Sequence, residues 1–391
     1  MTTVKGKLAG CLLIAWFFLS HSQGMAGNIH LGPLRIYPYV SASAGHTDNV
    51  YLTQRNTKSD TFYLLSPGVK LILPLERHTI NVDYTVDRYV YKEQDEANRT
   101  VHNATGKLDL NPTTRLNIQV KDTFIRSEDP PDLKGDRTSP FVWNKAAVDG
   151  VYDITSRVAV GMGYEHGTKG YDRTVDRIDD YDDDSLSGRV FFKIFPKMSV
   201  VAFYQYRDRD YDRRQALDSE SHRVEGGVAW KIGPKSTGTA RVGYMETDYD
   251  RLNRTDNTLS YFVDFTHELR PKTTLLVEGG REILDTSRAD DNLGFSNAYV
   301  SSQIAAEVSH RYRKFTGRVR GAYIQDDYLY DDRGLGKKRR DDLMRAEFGI
   351  DHAIRKWLSW GGTYRYSRLD SNVKTEEYEE NAFLIHVFLI L

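Results

Sequence analysis

The sequence is almost without cysteine, which excludes several kinds of chemistry at once. Its 391 residues contain one cysteine, Cys11, and that residue lies in an N-terminal segment that we expect to be cleaved. A chain without cysteine forms no disulfide and has no thiolate metal ligand or thiol nucleophile. A metal site or a catalytic site would therefore depend on histidine, serine and carboxylate side chains alone.

Two further absences concern partners and membrane helices. The formal net charge is only −1, whereas a nucleic-acid partner calls for a clearly basic face. Beyond residue 26 there is no apolar run of about 18 residues, so no membrane-spanning helix is predicted. Tyrosine, by contrast, is frequent, with 25 residues. These totals exclude classes of protein but do not by themselves indicate a family or a site.

The N-terminus has the three-part plan of a secretory signal peptide. A short basic stretch, MTTVKGK, is followed by the apolar run LAGCLLIAWFFL and then by small residues. Cleavage is predicted after Ala26 or Gly24, which divides the chain into a signal peptide, residues 1–26, and a mature domain, residues 27–391. Two alternatives stay open: lipidation at Cys11, although the apolar run follows that residue, and an uncleaved anchor, although about twelve residues are short for a span.

The mature chain repeats one pattern, an alternation of apolar and polar residues. In TINVDYTVDRYV, residues 79–90, every second residue from Ile80 to Val86 is apolar and the residues between them are polar. This is the period of a β-strand with two different faces. The same alternation occurs in residues 115–121, 258–269, 315–323 and 344–350.

The connections between these segments alternate strictly between short turns and longer polar loops. About eight short and nine long connections predict about 18 strands, with 16 as the alternative, and place both chain ends on the short-turn side. Strands with one apolar face, short turns at one end and long polar loops at the other predict an all-β fold, a transmembrane antiparallel up-and-down β-barrel. A soluble sandwich or propeller is the competing interpretation. Tyrosines near strand ends predict an aromatic girdle on the long-loop side, namely Tyr84, Tyr89, Tyr91, Tyr204, Tyr206, Tyr323, Tyr328, Tyr364 and Tyr366.

If the apolar phase faces lipid, the polar phase lines the lumen. The candidate lumen residues are Asp83, Lys107, Arg115, Lys121, Arg189, Arg223, Arg241, Glu268, Arg318, Arg320, Arg345, Glu347 and Arg365. One interpretation is that these charges pair across the wall. The other is that they line a conduit for a hydrated polar solute, since 18 strands enclose a diameter of roughly 35 Å. No ring of a single charge sign is visible, so strong ion selectivity is not expected.

No motif indicates an enzyme or a cofactor. The histidines form no paired-ligand spacing, and GxSxG and glycine-rich phosphate loops are absent from the sequence. A Ser-His-Asp site assembled from separate strands stays open, but nothing in the sequence points to one. The acidic run from Asp179 to Asp184 could bind Ca²⁺, although a solvated loop is the simpler interpretation. We expect neither catalysis nor a bound cofactor.

The C-terminal segment NAFLIHVFLIL is predicted to be the closing strand of the barrel. Its alternate residues, counted back from Leu391, are all apolar and would face lipid. They form a predicted outer-membrane insertion signal of Phe383, Ile385, Val387, Leu389 and Leu391. The opposite phase is more apolar than in other strands, which predicts packing on the inside as well.

Three features of the chain carry a resemblance: the opening IYPYVSASAGHTDNVYL, the run of hairpins through LNPTTRLNIQV, and the lack of a separate plug domain. In these features the chain resembles a known family, the β-barrel porin 2 proteins of Gram-negative bacteria. Members often lie in exopolysaccharide, capsule or exosortase loci. The resemblance implies an outer-membrane exit for an exopolysaccharide. Its implied partners are outer-membrane lipid and lipopolysaccharide, the barrel-assembly machinery, a periplasmic polysaccharide export protein and a polysaccharide substrate. A general diffusion porin and a structural barrel without transport are the alternatives.

Overall fold

A computed structural model describes residues 29–128, 140–172, 174, 177–285, 298–332 and 336–391 of the chain. The predicted signal peptide and its cleavage site lie outside these residues. The strands are β1 (Ile29–Leu31), β2 (Leu34–Thr47), β3 (Asp60–Pro74), β4 (His78–Tyr91), β5 (Arg99–Leu110), β6 (Leu116–Glu128), β7 (Pro140–Asp153), β8 (Val158–Tyr171), β9 (Tyr181–Phe195), β10 (Met198–Tyr211), β11 (Ser219–Ile232), β12 (Ser236–Tyr249), β13 (Arg254–Arg270), β14 (Thr273–Asp285), β15 (Ala298–Tyr312), β16 (Phe315–Asp332), β17 (Lys337–Arg355), β18 (Leu358–Ser371) and β19 (Tyr378–Ile390).

The strands form one closed antiparallel barrel. Each strand from β2 to β18 pairs with the next strand in sequence, and β19 returns to pair with β2 from Ala382↔Thr47 to Ile390↔Tyr39. The short β1 only extends the end of β2 as a hairpin. The wall of the barrel therefore consists of 18 strands. This confirms the predicted fold and the predicted count of 18 strands, and it excludes the alternative of 16. In the described part of the chain, no helix is long and apolar enough to span a membrane.

The two ends of the barrel differ in the length of their connections. At one end, eight turns of two to five residues join β3 to β4, β5 to β6 and so on to β17 and β18. At the other end, the nine connections are longer on average, and several contain a single 3₁₀ turn, as at Asp95–Ala97 and Gln215–Leu217. Both ends of the sheet, β2 and β19, enter and leave on the short-turn side, as predicted.

The outer face of the barrel is apolar because the strand period sends alternate side chains to opposite sides. Val190, Phe192, Val224 and Val242 are each at least half exposed, and most of their neighbours in sequence are charged or small residues of the other phase, such as Arg189, Lys193, Glu225 and Gly243. Exposure of this kind all round a protein would be an aggregation hazard in water. It is the expected surface of a wall that contacts hydrocarbon.

The closing strand follows the predicted register. Phe383, Ile385 and Val387 are exposed on the outer face, with Leu389 and Leu391 on the same phase. The other phase is packed inside: Leu384 contacts a buried cluster, and His386 is 3% exposed. The use of the outer residues as an insertion signal stays a prediction.

Four tyrosines face outward near the middle of their strands, and not towards the long-loop end as predicted. Tyr84, Tyr164, Tyr204 and Tyr364 each lie seven residues before the last residue of β4, β8, β10 or β18. Each hydroxyl meets a polar side chain on the next strand: Tyr84 with His102 Nδ1 at 2.9 Å, Tyr204 with His222 Nδ1 at 2.9 Å, Tyr164 with Asp184 Oδ1 at 2.6 Å and Tyr364 with Asn381 Oδ1 at 2.7 Å. Rings that face outward with a satisfied hydroxyl suit the membrane–water boundary.

Part of the predicted girdle is wrong. Tyr89 and Tyr91 are buried, and Tyr328 stacks with Tyr299 on the inner face. Tyr89 and Tyr91 lie five and seven residues from the outward-facing Tyr84. An odd separation in a period-two strand sends a side chain to the opposite face. Proximity to the strand end was therefore a poorer guide than phase.

The assignment of the two faces can be tested on neighbouring residues of β7. Val148 faces outward and is 45% exposed, whereas Ala147 faces inward, in register with Glu165. We expect Val148→Lys to lower the free energy of unfolding by about 2–4 kcal/mol, because it places an ammonium in hydrocarbon. Ala147→Lys should change it little, because the lumen is wet and Glu165 is adjacent. Urea unfolding in phospholipid vesicles, followed by electrophoretic mobility, measures both values. Equal losses would show that the two faces are assigned incorrectly.

Candidate transport lumen

Side-chain contacts between strands that are not neighbours identify the inner face. Tyr39 on β2 donates to Asp83 Oδ1 on β4 at 2.8 Å, and Arg223 Nη2 on β11 lies 2.9 Å from Glu282 Oε2 on β14. Arg189 on β9 pairs with Asp149 on β7 across β8. Strands two apart are separated by about 10 Å, and side chains converge only on the concave side of a curved wall. The charged phase therefore points into the barrel.

Glycine on the intervening strand makes two of these contacts possible. At Gly163 of β8 a Cβ would lie 3.1 Å from Asp149 Oδ2, the acceptor of Arg189. At Gly361 of β18 it would lie 2.5 Å from Asp351 Oδ1 and 2.8 Å from His386 Cε1. In both places the missing side chain leaves room for groups from either side to meet over the strand.

A tightly packed group of inward side chains lies on β9 to β13. Glu225 on β11 has a fully buried side chain, and its Oε2 accepts from Arg241 Nε on β12 at 2.9 Å. The Arg241 guanidinium lies between two rings, 4.2 Å from the centroid of Phe203 and 4.3 Å from that of Phe262. Such stacking contributes about 0.5–2 kcal/mol per ring when the cation is desolvated. Of the predicted lumen residues, Arg189, Arg223 and Arg241 thus belong to a packed wall and not to an open surface.

A second packed network lies near the closing seam. Arg318 on β16 pairs with Asp351 on β17, and His386 Nε2 on β19 lies 2.9 Å from Asp351 Oδ1. All three side chains are at least nine-tenths buried. The network ties the last strand to strands that lie two and three positions away.

This network places a serine beside the His-Asp pair, because Ser43 is the register partner of His386. The Asp351 charge is already satisfied by Arg318. A carboxylate neutralised in this way stabilises an imidazolium poorly. We therefore interpret the three residues as structural.

The wall from β14 to β19 carries a ladder of alternating charges. Arg320 lies 3.4 Å from Glu278 and 3.7 Å from Glu307, and Arg365 lies 2.9 Å from Glu380. Glu347 is buried and is the register partner of both Arg320 and Arg365. Arg345 is held more loosely: its Nε donates to Ser367 Oγ at 3.2 Å.

The opposite wall, β4 to β8, is richer in lysine. Lys107 pairs with Asp109 at 3.0 Å and Lys145 with Glu165 at 2.5 Å. Lys121 is the direct register partner of Lys107 and, within the described residues, makes no ion pair. Like charges opposite one another destabilise a sheet, so Lys121 is a candidate for contact with solute. Asp83 faces inward on this wall, and the two remaining predicted residues, Arg115 and Glu268, lie exposed at the short-turn end.

Clusters of buried aromatic and apolar residues line the inside at the long-loop end. One contains Phe62, Tyr89 and Tyr91, a second contains Ile125, Phe141 and Tyr171, and a third contains Met245, Tyr249 and Ile283. The clusters place aromatic rings on the inner face at this mouth of the barrel.

Sequence reasoning missed these clusters, although a signal exists. Tyr91, Tyr171, Tyr211 and Tyr249 are the last residues of β4, β8, β10 and β12, and all are buried. The tripeptide Tyr-Asp-Arg begins at Tyr171, Tyr211 and Tyr249. A repeated tripeptide at every second strand end would have indicated a shared inward position.

The acidic run from Asp179 to Asp184 does not form a shared cation site. Its last four residues belong to β9, so alternate carboxylates point to opposite faces. Asp183 pairs inside with Arg207 and Arg209, and Asp184 binds Tyr164 and His166 outside. Within the described residues, no group of three or more histidine, cysteine or carboxylate side chains could hold a metal ion.

Comparison with known families gives one match. The family model described as "Putative beta-barrel porin 2" matches residues 24–389 of the chain. No curated protein matches the sequence.

Solved barrels with similar architecture share little sequence. The outer membrane protein OpdK of Pseudomonas aeruginosa is 9% identical, with 91% of this chain and 99% of that chain covered and a TM-score of 0.48. OccAB4 of Acinetobacter baumannii is 9% identical, with 95% and 100% covered and a TM-score of 0.47. The siderophore receptor PirA of Pseudomonas aeruginosa is 10% identical, with 91% and 80% covered and a TM-score of 0.42.

The structure separates two inward arginines that the sequence grouped together. We expect Arg318→Ala to lower the free energy of unfolding by about 3–5 kcal/mol, because it leaves Asp351 buried without its partner. Arg345→Ala should lower the free energy of unfolding by much less than Arg318→Ala and should instead change the single-channel conductance. Unfolding in vesicles and planar-bilayer recordings measure the two effects. If Arg318→Ala assembles with unchanged stability, the buried network is not structural.

Proposed function

We propose that this chain, which belongs to the β-barrel porin 2 family, is the outer-membrane channel through which an exopolysaccharide leaves the cell. The family and the closed 18-strand wall make it a porin-like outer-membrane barrel. The nature of the solute, the outward direction and the Gram-negative host are the proposal.

The observation that carries the proposal is the chemistry of the inner wall. Many inward charges are already paired, as in Arg320 with Glu278 and Arg365 with Glu380. Paired charges offer hydrogen bonds to hydroxyl groups without a deep electrostatic well. A sugar polymer moves best along a wall where contacts are numerous and each contact is weak. Aromatic rings at the long-loop mouth add flat surfaces of the kind that sugar rings contact.

The length of the loops favours export over general diffusion. A diffusion porin usually folds a long loop inward as a constriction, and here the longest connections, residues 48–59 and 286–297, have twelve residues each. A chain of sugars needs a continuous passage more than it needs a size filter. The expected partners are outer-membrane lipid, lipopolysaccharide, the assembly machinery and a periplasmic export protein.

A matched pair of variants tests whether the lumen carries the polymer. Ala305 and Ala322 are register partners on the inner face of β15 and β16, whereas Ile304 and Ala306 face outward beside them. We expect the double variant Ala305→Trp with Ala322→Trp to lower both conductance and secreted polysaccharide, because two indoles narrow the passage. The outward double variant, Ile304→Trp with Ala306→Trp, should leave both unchanged.

Polymer in the medium is measured in a deletion strain that expresses each variant at equal barrel level. Unchanged secretion after deletion of the gene would overturn the export proposal. Secretion that is lost in deletion but equal in both double variants would show that the polymer does not pass through this lumen.

A further inference from the structure

The two mouths of the barrel carry opposite charge. We define the short-turn rim as the eight short turns with three strand residues on each side, together with the first three residues of β2 and the last three of β19. This rim has fifteen lysines and arginines against four carboxylates, Glu76, Asp109, Asp153 and Glu268. The long-loop end is acidic, as in the run from Asp179 to Asp184. The near-neutral net charge of the chain conceals this separation.

About half of the basic residues of the rim lie on the inner phase. Strand register and backbone hydrogen bonds place eight of them on the inner phase: Arg35, Arg115, Arg157, Lys193, Lys197, Lys231, Arg311 and Lys314. The outer phase at the same height is apolar, with exposed Ile154, Ile194, Ile232 and Tyr312. The sequence therefore places a basic and an apolar residue side by side at turn after turn, one facing the lumen and one facing lipid.

These cations are available to a ligand. Seven of the eight are exposed, and among the described residues only Lys193 has an ion-pair partner, Asp153 at 2.9 Å. Deeper in the barrel the arginines are paired, as with Arg189, Arg241 and Arg318. The sequence alone did not indicate this set of cations, because its members come from hairpins far apart in the chain.

Six of the eight cations are close enough for their fields to add. Arg157, Lys193, Lys197 and Lys231 lie at the short-turn ends of β8 to β11, and Arg311 and Lys314 lie at those of β15 and β16. Neighbouring strands are about 5 Å apart, which is within the Debye length of about 8 Å at physiological salt. A mouth lined by one sign raises the encounter rate of an oppositely charged solute by about 10–10³-fold. On the outer side of the rim, Arg313 lies 5.5 Å from the centroid of the Tyr312 ring, so anionic lipid headgroups are the competing ligand that the experiment has to separate.

We infer that the short-turn mouth captures a polyanionic polysaccharide, one that carries carboxylates along its chain. The inference rests on the proposed function and adds two points: the class of substrate and the mouth at which the substrate enters. That mouth is periplasmic, because the short turns of an outer-membrane barrel face the periplasm. Many exposed guanidinium and ammonium groups hold successive carboxylates weakly and interchangeably. The acidic far mouth repels the same chain and so does not retain it.

A charge-matched pair of quadruple variants tests the inference. The rim variant is Arg35→Gln, Arg115→Gln, Arg157→Gln and Arg311→Gln. The control removes four arginines from the outer face at the long-loop end: Arg88→Gln, Arg126→Gln, Arg340→Gln and Arg368→Gln. The probes are oligogalacturonate and uncharged maltodextrin of equal length, added to either side of single channels in planar bilayers.

We expect oligogalacturonate to block wild-type channels at least about tenfold more often than maltodextrin, and from one side only. The blocking rate of oligogalacturonate should fall about tenfold in the rim variant and stay unchanged in the control. Added salt should suppress the wild-type blocking rate.

Equal blocking by both sugars, or equal rates in the two variants, would overturn the inference and leave the channel proposal standing. A channel that no sugar blocks, together with unchanged secretion after deletion, would instead remove the proposed function. If the rim variant binds phosphatidylglycerol vesicles less well and its blocking rate is unchanged, the rim cations bind lipid, and this result would also overturn the inference.

Discussion

The whole architecture depends on the absence of hydrogen-bond partners in hydrocarbon. Every backbone N–H and C=O at membrane depth must bond to another strand, so the sheet has to close. The barrel closes where β19 pairs with β2. Antiparallel pairing all round the wall requires an even number of strands and places both chain ends on one side. Because side chains alternate along a strand with a period of two residues, each strand has one face towards lipid and one towards the lumen. The girdle, the inner charges and the basic rim are all arranged on these two faces.

Local packing decides what the inner charges do. On β10 to β13 the inward side chains bury one another, and Glu225 is fully enclosed, with Arg241 between two aromatic rings. Where glycine occupies the intervening strand, groups from either side meet over it, as Asp351 and His386 do over Gly361. Charges in these places strengthen the wall. At the short-turn rim most of the inner-phase cations of the described residues have no ion-pair partner, and there they are available to a solute.

The sequence predicted the barrel well because its signals are local. Alternation within a strand and turn length between strands are readable over ten residues, and they led to the correct closure, register and strand count. The site was predicted less well because pairing depends on distant strands. Arg318 and Arg345 look equivalent in sequence, yet one is buried against Asp351 and the other is held by Ser367. Tyr89 was assigned to the girdle by position, while its odd distance from Tyr84 had already placed it inside.

The separation of charge between the two mouths gives the barrel a direction that its uniform strands do not provide. A passive channel cannot drive transport, but the charge at its ends biases where a charged chain is caught. Cations on the inner phase attract an anionic solute in the lumen. The same residue types one position along the strand would lie on the outer face and would attract lipid headgroups. The repeated pairing of a basic with an apolar neighbour, as in Lys193 with Ile194 and Lys231 with Ile232, keeps the two effects apart. A periplasmic mouth built in this way collects polyanions before they enter a wall whose paired charges let them pass.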